Sequence, residues 1–263
     1  MQIRRLGWAG IELESQGQTL VIDYVLGWES IEPFIGPPRT PLLPSTEPGK
    51  AVGALVTHLH TDHTDASAIR SALSPGASLY RPRTMEGDFM EVAGVAGAED
   101  ELTKEGVQQV HAEAWDSFEI GPFTATAVPA VDGFGDPQVS WLVEAEGKRV
   151  LHAGDTLFHG SWWLIQMRFG SLDAAFMPVN GAIASFPHRQ PASGIEASMT
   201  PEQAVAAARV TATRKLVPIH YDGIHEPPAY EQTGEIMDRL EAAVGEVNDL
   251  ELLVMDEGST HEL

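Results

Sequence analysis

Thr57-His58-Leu59-His60-Thr61-Asp62-His63-Thr64 places three histidines and an aspartate within the six positions 58–63, directly after the apolar run Ala51–Val56. That run (AVGALV) reads as a short buried strand, so the polar residues sit at its C-terminal mouth, where α/β folds commonly build their active sites. His58 and His60 lie two apart and project to the same side. Asp62 and His63 follow where the chain turns toward a helix, and so face a second ion. A lone histidine in an apolar run is ordinarily a packed core residue. Three imidazoles and a carboxylate crowded together would repel on protonation and desolvate at high cost unless a cation organised them. Two neighbouring metal sites are therefore expected.

The string H-x-H-x-D-H resembles the signature of the metallo-β-lactamase superfamily, and later segments continue the likeness. Val150-Leu151-His152-Ala153-Gly154-Asp155-Thr156 carries an aspartate after a strand, and Leu216-Val217-Pro218-Ile219-His220-Tyr221-Asp222 ends a late strand on a histidine. With Pro178-Val179-Asn180-Gly181, these segments look most like the branch that includes ascorbate-phosphate lactonases and related metal-dependent hydrolases. The resemblance covers nearly the whole chain. It implies His58, His60, Asp62, His63, Asp155 and His220 as metal ligands, with Asp155 bridging two divalent ions. Zinc is the first expectation, manganese or iron the alternatives. The implied chemistry is attack by a metal-held hydroxide on a small ester, lactone or phosphoester, with Asp62 and Asp155 among the catalytic residues.

One position departs from the pattern. Where the family usually has a histidine, the segment Thr126–Gly133 offers Asp132. A carboxylate in place of imidazole hardens the site and shifts preference toward manganese or iron without excluding zinc. Alternatively Asp132 only caps the Asp132-Gly133 turn, with His111 and His152 as substitute ligands; Asp132 ranks first. Asp23, at a strand end, either braces the metal loop or is an ordinary strand-end carboxylate. His159, four residues after Asp155, is a candidate proton donor, and His188 a candidate pocket residue. Arg168 and Arg189 are the cations best placed in sequence to hold a carboxylate or phosphate. Surface or capping roles are the competing readings for these four. Trp162 and Trp163 either wall a pocket or pack in the core.

The chain has 263 residues, with 38 acidic against 16 basic and a formal net charge of −22. That balance opposes binding along a phosphate backbone, which disfavours a nuclease and points to a small-molecule substrate. Cysteine is absent, so neither disulfides nor thiolate ligands enter. The N-terminus turns at once into strand-like alternation without a signal-like apolar segment, and no apolar run is long enough to span a bilayer. A cytoplasmic location without membrane attachment is expected, with a homo-oligomer as one possible state.

The expected fold is an α/β structure, an αββα sandwich in one domain over 1–263. Strands are expected over Ile3–Glu14 and Gln18–Val25, 106–120 and 122–131, Val139–Glu144, Arg149–Ala153, Ala174–Val179, Lys215–His220 and Leu250–Met255. Helices are expected over Asp65–Leu73, Met85–Val95, about 160–169, from Pro201 to Thr211, and Tyr230–Val244. Thr200, Pro201 and Gln203 together form a helix start of capping-box type. Residues 27–50 carry six prolines among apolar side chains, which suits either a lid or an extended segment packed on the surface. Two other functions compete with hydrolysis: a metal-binding or di-iron redox scaffold without hydrolytic turnover, and a binding module with a decayed site.

Overall fold

The computed structural model describes all 263 residues. The chain opens with β1 (Gln2–Gly7), β2 (Gly10–Ser15) and β3 (Gln18–Ile22), then a short helix α1 (Glu32–Ile35), β4 (Ala51–Leu55), α2 (Ala66–Ala72), β5 (Leu73–Arg81), α3 (Ala96–Lys104) and β6 (Gln108–His111). A second series follows: β7 (Ser117–Ile120), β8 (Phe123–Pro129), β9 (Val139–Ala145), β10 (Lys148–His152), α4 (Ser161–Phe169), β11 (Leu172–Pro178), β12 (Ile183–Ala184), α5 (Pro201–Val210) and β13 (Thr213–Ile219). The chain closes with β14 (Tyr230–Glu231), α6 (Ile236–Gly245), β15 (Glu251–Leu252) and β16 (Thr260–Glu262).

Two seven-stranded sheets result, in the orders β16-β1-β2-β3-β4-β5-β6 and β15-β13-β11-β10-β9-β8-β7. Their central strands are buried on both faces, and the side-chain alternation there feeds two cores at once. Leu20 and Ile22 of β3 join Phe123, Trp141 and Phe176 between the sheets, whereas Val21 packs outward with Ile69 of α2 and Leu102 of α3. In the second sheet Val150 points inward, and Leu151 packs outward with Trp162 of α4, Ala204 of α5 and Leu240 of α6. Helices therefore cover both outer faces of a two-sheet sandwich, giving the αββα order.

The site residues follow strand ends. Asp23 succeeds β3, His58 β4, Asp132 β8, Asp155 β10, Asn180 β11 and His220 β13, within a few residues each. β3, β4 and β5 run parallel in one sheet, as do β10, β11 and β13 in the other, so these ends gather on one edge of the sandwich.

Several expected elements differ. The strand expected over 3–14 breaks at Gly7-Trp8-Ala9, where Gly7 (φ 108°) and Trp8 (φ 48°) make a tight turn. Pattern alone cannot see that Gly7 faces the Pro41 carbonyl, which a Cβ would strike. The strand expected over 106–120 is two, β6 in one sheet and β7 in the other. The Asp116 carboxylate accepts from the Glu113 amide (2.9 Å) and Trp115 adopts φ 82°, turning the chain across the sandwich. The helix expected over 85–95 is absent, and α3 begins at Ala96. Gly87 and Gly94 flank a turn in which Asp88 accepts from the Met90 and Glu91 amides, a local bond that competes with helix. Tyr230 lies not in a helix but in β14, with α6 starting at Ile236. Trp162 is fully buried in the outer core while its neighbour Trp163 is half exposed, and neither lines the cavity beside the donor groups.

α5 begins with the expected capping box: the Gln203 amide donates to Thr200 Oγ1 (3.3 Å) and the Thr200 amide to Gln203 Oε1 (3.1 Å). Thr200 also packs against Gly181, next to Asn180. Thr200→Ala is expected to lower stability by about 1 kcal/mol, read as a reduced urea midpoint with unchanged slope. An unchanged midpoint would show that the cap contributes nothing.

Candidate metal centre

Asp23 is fully buried and accepts three hydrogen bonds from the loop after β4. Its Oδ1 accepts from the Thr57 amide (2.8 Å), and its Oδ2 accepts from Thr57 Oγ1 (2.7 Å) and His63 Nδ1 (2.8 Å), with His152 Nδ1 at 3.7 Å. The Thr57 hydroxyl has one hydrogen, which goes to Asp23, so its oxygen accepts from His58 Nδ1 (3.0 Å). Both rings are thus protonated at Nδ1 and present Nε2 inward. His220 reaches the same state from the other sheet, because its Nδ1 faces Asn180 Oδ1 (3.3 Å), an acceptor only. His60 is turned the other way: Nε2 meets Asp136 (2.9 Å), and Nδ1 looks toward Asp132 at 3.8 Å. Trp8, Asp23 and His220 all hold positive φ (48°, 47° and 59°), backbone strain concentrated around this cluster.

Two groups of donor atoms form. His58, His60, Asp132 and Asp155 bring one atom each within 4.8 Å of one another, as do Asp62, His63 and His220. His58 Nε2 lies 3.6 Å from Asp155 Oδ2, and Asp62 Oδ2 lies 3.6 Å from both His63 Nε2 and His220 Nε2. Asp132 combines its two sequence readings. One oxygen caps the turn, accepting from the Phe134 (2.7 Å) and Asp136 (3.1 Å) amides, and that fixes the carboxylate so that the other oxygen faces the first group.

Five buried atoms here have no hydrogen-bond partner: His58 Nε2, His63 Nε2, His220 Nε2, Asp132 Oδ2 and Asp155 Oδ1. Leaving such atoms unsatisfied costs on the order of 1–3 kcal/mol each, and each offers a lone pair to a cation once its group is deprotonated. A cation is the partner that fits them. The oxygen-rich first group suits a harder divalent ion than a set of three imidazoles would.

Charges in the cluster perturb each other strongly. Burial would depress His60, but Asp132 and Asp136 outweigh it and raise its pKa to about 10. Burial likewise opposes Asp62 and Asp23 at His63, yet they hold it up at about 9. Burial dominates at His58, pushed well below its ordinary value, and at His220, pushed down to about 4. Burial, then the facing Asp132, lifts Asp155 to about 7.

A cavity of about 520 Å³ opens beside the two groups. His60, Asp62, Asp155 and His220 contribute to its polar side, and α1, the segment around Met90 and the segment around Phe186 form its walls. His188 lines it. Three sequence candidates do not. His159 stacks on Trp162 (4.2 Å between rings) and accepts from the Ser161 amide (3.2 Å) at the start of α4, so it is placed by the helix rather than the cavity. Arg168 lies over the Trp115 ring at 3.9 Å, held there by cation–π attraction. Arg189 donates to Asp136 (3.0 Å), the carboxylate that orients His60, and does not line the cavity. His111 and His152, the substitute ligands, stand outside both groups; His152 Nε2 donates to the Ala9 carbonyl (2.7 Å).

The residues at the site that escaped the sequence reading include Asp136, which meets His60 Nε2, and two from more distant segments. Trp8 Nε1 donates to Asp62 Oδ2 (3.0 Å) from the turn between β1 and β2. Tyr230 lines the cavity, and its oxygen accepts from Asn180 Nδ2 (2.8 Å), which leaves its own O–H unpartnered. Neither lies near a ligand in sequence, and only the Asn180 motif hinted at a partner.

A family model, the beta-lactamase superfamily domain, matches residues 18–221, and the chain belongs to that family. It is 27% identical to a metal-dependent hydrolase of Thermococcus kodakarensis, over 84% of this chain and 85% of that one. A metal-dependent hydrolase of Rubrobacter xylanophilus is 29% identical, over 84% and 81%. These relatives set the chain among metal-dependent hydrolases. Solved structures share the fold: a metallo hydrolase from Ignicoccus hospitalis (TM-score 0.66, 20% identity, 100% of this chain and 98% of that one) and a diiron β-hydroxylase from Streptomyces venezuelae (0.74, 16%, 100% and 54%). No helix is long and apolar enough to cross a membrane.

The raised histidines give the protein a pH signature without its cations. His60 and His63 have folded pKa values of about 10 and about 9, above the unfolded value of about 6.5. The stability they contribute is complete below the unfolded value and is lost as pH rises through the folded values. Chelator-treated protein is therefore expected to melt at a lower temperature at pH 10 than at pH 6.5, followed by circular dichroism. Zinc-loaded protein, whose imidazoles are already neutral as ligands, is expected to lose less over the same range. Equal melting temperatures at the two pH values in chelator would contradict the charge balance described.

Proposed function

We propose that this member of the beta-lactamase superfamily is a two-metal hydrolase of small molecules, acting in the cytoplasm. His58, His60, Asp132 and Asp155 would hold one divalent ion and Asp62, His63 and His220 the other. The observation that carries this reading is the convergence of five buried, unpartnered donor atoms beside a cavity. Bound divalent ions supply Lewis acidity, polarising a substrate oxygen and lowering the pKa of water toward neutrality.

The chain's own residues do the rest. Asp23, through Thr57 and directly, keeps His58 and His63 in the tautomer that offers Nε2. Asp136 does the converse for His60, and Arg189 holds Asp136 in turn. Asn180 orients His220 with its oxygen and Tyr230 with its nitrogen, so one amide couples a ligand to a group facing the substrate. The Tyr230 O–H is free to donate to a substrate oxygen as negative charge develops there. The apolar cavity walls exclude bulk water, which strengthens each of these interactions.

A second reading, a di-iron redox site without hydrolytic turnover, draws support from the oxygen-rich first group. Metal-dependent turnover of an ester panel favours the hydrolase; iron-dependent oxygen consumption without hydrolysis favours the alternative.

Two variants test the assignments. Asp132→Ala is expected to reduce the metal content from two ions per chain toward one, while Asp132→His restores the second with a preference moved toward zinc. Equal stoichiometry and affinity in all three proteins would leave Asp132 a turn residue only. Tyr230→Phe removes only the O–H, and is expected to lower kcat by about 100-fold with little change in KM. A change confined to KM would assign Tyr230 to substrate binding instead.

A further inference from the structure

The hydrolase reading leaves ester, lactone and phosphoester open, and the walls of the cavity discriminate among them. We propose that the site takes an uncharged, largely apolar carbonyl compound, an ester or lactone bearing an aromatic or branched aliphatic group, and rejects phosphoesters. This inference rests on the two-metal hydrolase reading for its chemistry, and on the cavity alone for its selectivity.

The wall beside the metal centre is aromatic. Phe134 stands edge-on to His60 at 6.0 Å between rings and packs against Phe186 at 5.5 Å. The apolar lining continues to the mouth through Ile224, Phe34, Met90 and Phe89, the last 81% exposed. Large apolar side chains left in water at the rim of a concave site are explained by an apolar ligand that covers them.

The cationic side is equally decisive. No lysine or arginine lines the cavity. Arg189, adjacent in sequence to the lining residue His188, has its terminal nitrogens on Asp136 (3.0 Å) and the Met90 carbonyl (3.4 Å). Arg168 is committed to Trp115. His188 itself is pushed below its ordinary pKa by burial and by Arg189, which disfavours its charged form. A phosphoester would thus enter with no lysine or arginine to meet its oxygens, whereas phosphate sites ordinarily supply arginine, lysine or a row of backbone amides. The three carboxylates of the two donor groups already neutralise most of the charge that two divalent ions bring. What remains matches the single negative charge formed when water adds to a carbonyl. A phosphomonoester dianion would exceed it inside an apolar enclosure, where unbalanced charge is costly. The net charge of −22 also repels anions at a distance.

The reaction this implies is balanced by water alone. The water oxygen bonds to the acyl carbon and the acyl C–O bond breaks. One water proton ends on the leaving alcohol oxygen, and the acid formed releases the other to solvent.

The test pairs 1-naphthyl butyrate with 1-naphthyl phosphate, which share a leaving group, on zinc-loaded and manganese-loaded protein. The butyrate is expected to exceed the phosphate in kcat/KM by more than about 100-fold, and Phe186→Ala to raise the KM for the butyrate about tenfold. Faster turnover of the phosphate overturns the inference while leaving the hydrolase reading intact. Binding supplies a readout that does not depend on turnover: 1-acetonaphthone, uncharged and unhydrolysable, should bind the loaded protein by calorimetry at least about tenfold more tightly than 1-naphthyl phosphate. It should lose that advantage in Phe134→Ala and Phe186→Ala. Tight binding of the ketone without turnover of either ester would retain the selectivity and defeat the hydrolase reading. Binding of the phosphate as tight as the ketone would overturn the selectivity whatever the turnover.

Discussion

The buried Asp23 carboxylate is the interaction on which the centre depends. It lies at the end of β3 in a strained backbone conformation and ties the loop after β4 to the sheet through the Thr57 amide and hydroxyl. A fully buried carboxylate is tolerated only where hydrogen bonds and opposite charge meet it. Here His63 and Thr57 do so, holding it below its usual range against the effect of burial. The same bonds settle which nitrogen of His58 and of His63 carries hydrogen. One carboxylate thereby prepares a ligand atom for each of the two donor groups, and the stability of the loop and the geometry of the centre share a cause.

The other ligands are held by smaller versions of this arrangement. Asp136 holds His60 and is held by Arg189; Asn180 holds His220 and is held by Ser198 (2.6 Å). Each chain of bonds ends on a different segment of the sandwich edge. The centre therefore exists only when both sheets are in register, and cations bound there would link the halves of the sandwich as well as supply chemistry. The apolar cavity depends on the same assembly, since its walls come from α1, from the segment before α3 and from the loop around Phe186.

Arg189 shows how a residue can be well chosen and its role different. Its position in sequence suggested an anion-binding arm, but its guanidinium is drawn to the Asp136 carboxylate and stands outside the cavity lining. Arg168 was drawn away by the exposed face of Trp115, and His159 by Trp162 and the start of α4. In each case a local partner of ordinary kind satisfies the side chain, and no linear pattern specifies which partner wins.

What the sequence determined by itself was the local chemistry: alternating and continuous apolar runs that make buried strands, the crowded H-x-H-x-D-H segment, the capping box at Thr200, and the Asp132-Gly133 turn. These depend on neighbours within a few residues, and the chain carries them openly. Family, α/β class and the αββα layering were legible on those grounds. Tertiary structure alone decided that the run from 106 to 120 crosses between sheets, that Asp132 caps a turn with one oxygen and faces the metal groups with the other, and that Trp8 and Tyr230 reach the centre. Those outcomes depend on which strand ends meet, across separations of 50 residues and more between partners such as Trp8 and Asp62 or Asn180 and Tyr230. Contacts of that kind are set by the packing of two sheets, a property of the whole chain that no local pattern contains.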